Sequence, residues 1–269
     1  MEIGISTACL FNRFDTEDCF SVIKSLGANL AEVFLNTFSE YEPSYCRLLK
    51  KRMEAAGVGV YSVHPMSAQF ESQLFSIHRR QRSDALDIYK KVLESGGILG
   101  AKCYVMHGAA HLSGAAKNLQ DELILERFRE LTEVARASGL TLALENVSWC
   151  IYHDSEYGRM LKDGLGDGKL KFVLDIKQAV RSGTSPFDYI DAIGEDLINV
   201  HLCDYKFIGG ISRPFMPCKG EFDFGRLKSA LEGVGYKSPL FIEVYSDTYG
   251  KLEELGEAYR CLQELFYSH

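Results

Sequence analysis

The 269-residue chain lacks the marks of several common protein classes. Its eight cysteines, at positions 9, 19, 46, 103, 150, 203, 218 and 261, form no CxxC pair, which excludes a zinc ribbon and a thioredoxin-type redox motif. Most of them read as small buried hydrophobes. No apolar run is long enough to span a bilayer, and the opening MEIGISTACLFNRFD lacks the charged and apolar regions of a secretory signal. The expected setting is therefore the reducing cytoplasm, away from membranes. No GxGxxG follows the first apolar run and no GxxxxGK[ST] is present, which counts against dinucleotide and P-loop sites. Excess positive charge is missing as well. With 30 Lys and Arg against 37 Asp and Glu, the net charge of -7 is an adverse balance for neutralising a nucleic-acid backbone. Linkers and low-complexity segments are absent, so residues 1–269 are expected to form one domain.

What is present is alternation. Apolar runs at 3–6, 31–35, 59–64, 103–107, 140–145, 171–175, 198–204 and 240–245 are separated by longer amphipathic segments. Helix punctuation accompanies them. One helix opens near Asp15 and Thr16 and stops at Gly27, a second is entered at Pro43 and Ser44 and closed by Gly57, and Gly139 ends a third that runs from Leu119 to Ser138. A sixth helix is expected over 185–194, a Gly/Pro-rich loop over 208–220, a helix over 223–234 and a terminal helix after 245. Eight strand-like runs alternating with helices predict an α/β protein with a parallel sheet covered on both faces, and the count favours closure into a (β/α)8 TIM barrel.

Four of these runs end in a metal-ligand residue: LTLALE at Glu145, FVLD at Asp175, INVH at His201 and LFIE at Glu243. In a parallel barrel the C-terminal strand ends converge on one mouth, so the four would meet in space. Clustered carboxylates repel unless a proton or a cation is shared, and three oxygen donors with one imidazole suit Mn, Zn, Co or Fe, with Mg also admitted. One such residue alone would be as well explained by an ion pair or a helix cap. Three of the runs turn abruptly polar at the ligand, as a barrel mouth requires. His64 in SVHP and His107 in VMHG end the third and fourth runs in the same way; they are expected to line the substrate pocket, or to hold a second ion with Glu145 as bridge.

Lys177, two residues past Asp175, is a candidate for neutralising a substrate oxyanion or phosphate or for acting as base, against the plainer reading of a salt bridge to the acidic cluster. Asp204 is expected to orient the His201 imidazole. Glu32 could reach the mouth or pair locally, Trp149 could wall the pocket, and His78, His111, His153 and His269 read as surface residues.

Around these positions the sequence resembles the xylose isomerase-like sugar phosphate isomerase/epimerase superfamily, which includes the endonuclease IV branch. LENVSW, FVLDIKQA, VHLCD, KGEFDF and FIEVY carry the resemblance, extended by GISTACL, SVHP and VMHG. It implies a (β/α)8 barrel in which Glu145, Asp175, His201 and Glu243 hold one divalent ion and a ketose or related polyol binds through two adjacent oxygens. In the epimerase branch the two metal-bound glutamates double as bases on opposite faces of the substrate carbon. Many members carry His where this chain has Gln178, and epimerases tend to place Arg where it offers only Lys206; these two are taken as substrate-binding. The third metal site of the endonuclease IV branch also needs that His and an Asp-x-His pair on the seventh loop, and the sequence supplies neither.

The expected enzyme is thus a metal-dependent sugar or sugar phosphate isomerase or epimerase, with Glu145, Glu243 and Lys177 catalytic and His64, His107, Trp149, Gln178 and Lys206 binding a small sugar. The alternatives are a dehydratase of a polyol-derived ketone, a phosphodiesterase acting on abasic DNA and a non-catalytic sugar-binding protein. Self-association is left open.

Overall fold

A computed structural model describes residues 1–110, 120–166 and 168–267. The apolar runs form strands β1 (Ile3–Ser6), β2 (Leu30–Leu35), β3 (Gly59–Pro65), β4 (Cys103–Met106), β5 (Thr141–Glu145), β6 (Lys171–Asp175) and β7 (Leu197–Leu202). A hairpin of β8 (Asp204–Ile208) and β9 (Ile211–Phe215) follows, and β10 (Leu240–Ile242) is the last. Eight of them close a parallel barrel in the order β1-β10-β7-β6-β5-β4-β3-β2, while β8 and β9 pair only with each other. The fold is the expected (β/α)8 TIM barrel.

Helices α1 (Thr16–Ser25), α2 (Pro43–Ala56), α3 (Glu71–Leu74), α4 (Arg79–Leu99), α5 (Asp121–Ala137), α6 (Ser155–Leu165), α7 (Ile176–Ser182), α8 (Pro186–Ile193), α9 (Phe224–Gly233) and α10 (Leu252–Tyr267) complete the chain. The punctuation acts as anticipated at α2, where Pro43 sits in the first turn and Gly57 caps the C-terminus at φ 64°. Leu119, the expected start of α5, lies outside the described residues, as do His111 and His269. Among the described residues no helix is long and apolar enough to cross a membrane.

Strand periodicity divides the core. Tyr104 and Met106 of β4 join the large apolar layer shared with the helices, whereas Cys103 and Val105, on the opposite face, pack with Ala143 and Val173 in a small separate cluster. That cluster plugs the barrel below the mouth. Register slips between Ala31 and Glu32, a local irregularity in the pairing of β2 with β3. Irregularities of this kind re-aim side chains, and Glu32 is fully buried there.

Two departures from the sequence reading occur near β7. The expected loop over 208–220 begins as the β8–β9 hairpin, turning at Gly209 and Gly210, both at positive φ. Pro214 is tolerated because the two-stranded sheet leaves its far edge unpaired. Six cysteines are buried thiols, as expected, but Cys218 and Cys261 are joined as a disulfide that ties the segment before α9 to α10.

Candidate metal centre and active site

The four strand-end residues meet. One donor atom from each of Glu145, Asp175, His201 and Glu243 lies within 4.8 Å of the others. Pairing of β6 with β7 sets Asp175 opposite His201, and pairing of β10 with β7 sets Phe241 opposite His201, which leaves Glu243 just past the strand end. His201 Nδ1 stands 3.2 Å from Glu243, 3.5 Å from Glu145 and 3.9 Å from Asp175. All four residues are buried or nearly so.

Glu32 explains the orientation of the imidazole. His201 Nε2 lies 3.2 Å from both Glu32 oxygens, while Ser62 Oγ and Asn199 Nδ2 donate to Glu32 Oε2 at 2.7 and 2.9 Å. A proton on Nε2, donated to Glu32, leaves the Nδ1 lone pair aimed at the three carboxylates, as a metal ligand requires. Asp204 does not perform this task. Its carboxylate instead accepts the backbone N–H groups of Tyr205, Gly220 and Phe222 at 2.8, 2.8 and 2.9 Å. It therefore docks the KGEF segment; a Cβ on Gly220 would collide with that carboxylate.

A fit to a cation can be tested on the cluster itself. His201 Nδ1, Glu145 Oε2 and Glu243 Oε2 are buried without a hydrogen-bond partner among the described residues. Unsatisfied buried polar atoms are costly, and here they converge, so the donor set fits a divalent ion. Electrostatics point the same way. Burial would lower the His201 pKa, but Glu243, Glu32 and Glu145 hold it well above the usual imidazole value. Burial would raise that of Glu145, yet His107 and His201 hold it well below the carboxylate range; for Glu243 burial prevails and the value rises. Without a cation the cluster retains protons for charge balance.

His64 and His107 form a second grouping with Glu145. Their Nε2 atoms are 2.9 Å apart and lie 3.6 and 3.1 Å from Glu145 Oε2. Burial disfavours charge on His64, but the Glu32 carboxylate, 3.7 Å from its Nδ1, and the nearby Glu145 and Glu243 raise its pKa to about 9. His107 is positioned by Glu71, a residue the sequence did not single out. Fully buried Glu71 accepts from the His107 and Gly108 N–H groups at 2.8 and 3.1 Å and from the Tyr104 hydroxyl at 2.8 Å.

The remaining candidates divide. Lys177 Nζ lies 2.7 Å from Asp175 and 3.6 Å from Glu243, which is the salt-bridge reading, and those charges raise its pKa well above the ordinary value against the effect of burial. It is an ammonium here. Gln178 uses Oε1 to accept from Ser148 N and Oγ at 3.2 and 2.9 Å, fixing the loop after β5. That loop carries Trp149, 43% exposed and edge-on to His107 with ring centroids 5.7 Å apart. Lys206 lies on the hairpin with Nζ 4.7 Å above the Phe215 ring, apart from the cluster's ion pairs. Asn146, two hydrogen bonds to the Asp175 backbone, locks β5 to β6 at the mouth. His78 caps α4, and His153 is partly exposed beside Asp154.

Residues 20–265 match a family model described as a xylose isomerase-like TIM barrel. Comparison of the sequence with curated proteins gives no match. Among solved structures, D-psicose 3-epimerase from Clostridium cellulolyticum H10, crystallised with D-tagatose, is 17% identical with a TM-score of 0.81 and full coverage of both chains. The IolI protein with a bound zinc atom is 16% identical with a TM-score of 0.80, again with full coverage. The probable 3-DHS dehydratase AsbF from Bacillus anthracis is 11% identical with a TM-score of 0.77, covering 98% of this chain and 99% of the other. At these identities the structural likeness establishes the fold alone.

Proposed function

The chain belongs to the xylose isomerase-like TIM-barrel family, and on that premise we propose that it is a divalent-metal-dependent epimerase or isomerase of a small sugar or sugar phosphate, acting by proton transfer next to a carbonyl. The observation that carries this reading is the convergence of Glu145 and Glu243 on His201 Nδ1, at 3.5 and 3.2 Å, each with a buried oxygen that makes no hydrogen bond. Glu145, Asp175, His201 and Glu243 would hold the ion, which supplies Lewis-acid polarisation of a carbonyl and its neighbouring hydroxyl. Glu145 and Glu243 are the bases, one removing the proton and the other returning it. Delivery to the opposite face gives epimerisation, and delivery to the adjacent carbon gives isomerisation. Lys177, held as ammonium, offsets negative charge growing on the substrate oxygen. His64, His107, Trp149, Gln178 and Lys206 complete the binding wall.

A second ion at His64, His107 and Glu145 is supported by the 2.9 Å approach of the two imidazole nitrogens. Action as one folded unit in the cytoplasm is part of the proposal: six of the eight cysteines stay buried thiols, and the Cys218–Cys261 disulfide is, among the described residues, the one feature of an oxidising setting. The test is solvent exchange. Incubated with divalent metal and a ketose panel in deuterated water, the enzyme should place deuterium on the carbon next to the carbonyl. Absence of exchange with every sugar, alongside nicking of abasic DNA or loss of water from a polyol-derived ketone, overturns the proposal.

A further inference from the structure

Lys177 and Arg181 lie four residues apart on α7, one turn of helix, and both cations sit against the same ring. Lys177 Nζ is 5.0 Å and the Arg181 guanidinium 5.4 Å from the centre of Tyr245. Tyr245 is two residues beyond Glu243, so its ring forms the step from the acidic cluster to the rim. The two cations differ in their neighbours. Lys177 is compensated by Asp175 and Glu243. Arg181, at the exposed end, makes a single side-chain hydrogen bond, donating from Nη1 to the Tyr245 hydroxyl at 2.8 Å, and meets no carboxylate among the described residues.

What sets Arg181 apart is its place one helical turn from Lys177 and on the same ring, beside the acidic cluster. Other arginines that meet no carboxylate among the described residues, such as Arg226 over Phe187, are not tied to a residue that neighbours Glu243. A guanidinium carries five N–H donors in a planar fork suited to two oxygens of one anion, and four are left over at Arg181. A favourable charge at the end of α7 would not require the side chain to turn onto Tyr245.

We infer that Arg181, braced by Tyr245, is the specificity residue for an anionic group, a carboxylate or a phosphate monoester, on the end of the substrate remote from the reacting carbonyl. The inference rests on the proposed activity at this site and names its substrate class: an anionic polyol ketone rather than a neutral sugar. Its carbonyl end lies in the acidic cluster, its chain runs along Tyr245, and its charged end takes the free side of the Arg181 fork.

Trp149, the chain's one tryptophan, reports binding. Manganese-loaded protein would be titrated with D-fructose, D-fructose 6-phosphate and 2-keto-D-gluconate while its fluorescence is followed. The wild type should bind one of the two anions about tenfold or more tighter than fructose, the size of a charge-assisted bidentate contact. Which anion is preferred separates phosphate from carboxylate. R181Q should bring that anion to near parity with fructose, R181K should keep part of the preference, and R181E should reverse it, with fructose affinity and metal content unchanged in all three. Absence of an anion preference in the wild type, including failure to bind either anion, overturns the inference; so does a preference that survives in R181Q. Deuterium exchange is read separately. Exchange without an Arg181-dependent preference removes this inference and leaves the proposed activity, and the reverse result does the opposite.

Discussion

Glu71, on the third βα connection, and the pair Glu145 and Glu243, at the ends of β5 and β10, are buried or nearly buried carboxylates in different chemical states. In the first half of the barrel, Glu71 spends both oxygens on backbone N–H groups and a tyrosine, whereas Glu32 spends Oε2 on Ser62 and Asn199 and keeps Oε1 without a hydrogen bond, 3.2 Å from His201 Nε2. In the second half, Glu145 and Glu243 each keep an oxygen with no hydrogen-bond donor. Saturation makes Glu71 a structural strut, whereas an unsatisfied buried oxygen leaves Glu145 and Glu243 open to a cation and Glu32 turned to an imidazole. Burial alone does not separate them, since Glu32, Glu71 and Glu145 are all fully buried or within 1% of it.

Substitutions at these four glutamates should break the comparison cleanly if it is wrong. The largest effect is expected at Glu243 and Glu145. E243Q and E145Q should lower the rate of solvent deuterium exchange by about a hundredfold to ten-thousandfold, the usual contribution of a positioned acid or base, with little change in melting temperature. Equal rates in wild type and variants would remove both as bases. Glu32 comes next. E32Q should weaken metal affinity by about 10- to 100-fold, measured by competition with a chelator, because the imidazole loses the partner that fixes its tautomer. Unchanged affinity would deny Glu32 that role. E71A should act on stability instead, costing about 1–3 kcal/mol in urea unfolding because two N–H groups lose their acceptor, with metal content preserved. The smallest effect is expected at Lys206, where K206A should shift stability by no more than about 0.5 kcal/mol. An unchanged substrate KM in K206A would take Lys206 out of the binding wall.

What the sequence revealed follows from how each residue is held. Glu145, Asp175, His201 and Glu243 were visible because each ends an apolar run at an abrupt polar step, a local signal that a parallel barrel converts into proximity. Glu71 gave no such signal. An acidic residue opening a short helix resembles ordinary first-turn charge, and its contact with β4 arises only when the third βα connection folds back across the mouth. Asp204 was misread for the related reason that proximity in sequence to His201 says nothing about which way a strand-end carboxylate turns; Glu32, remote in sequence, took the imidazole through the closure of the barrel. The β8–β9 hairpin was concealed by Pro214 and its glycines, which suggest loop wherever no second sheet is anticipated. The seventh connection was therefore read more coarsely than the strands it joins.

The Cys218–Cys261 bond adds a property that the barrel geometry does not supply. The sequence separation of 43 closes a covalent ring containing α9, β10, Glu243 and much of α10. A single protease cut anywhere inside that ring would leave one molecule whose two pieces separate on a denaturing gel only after reductant is added. The strand bearing a candidate base is thus retained on its parent chain through backbone damage, and paired reducing and non-reducing gels of a nicked sample would display that retention directly.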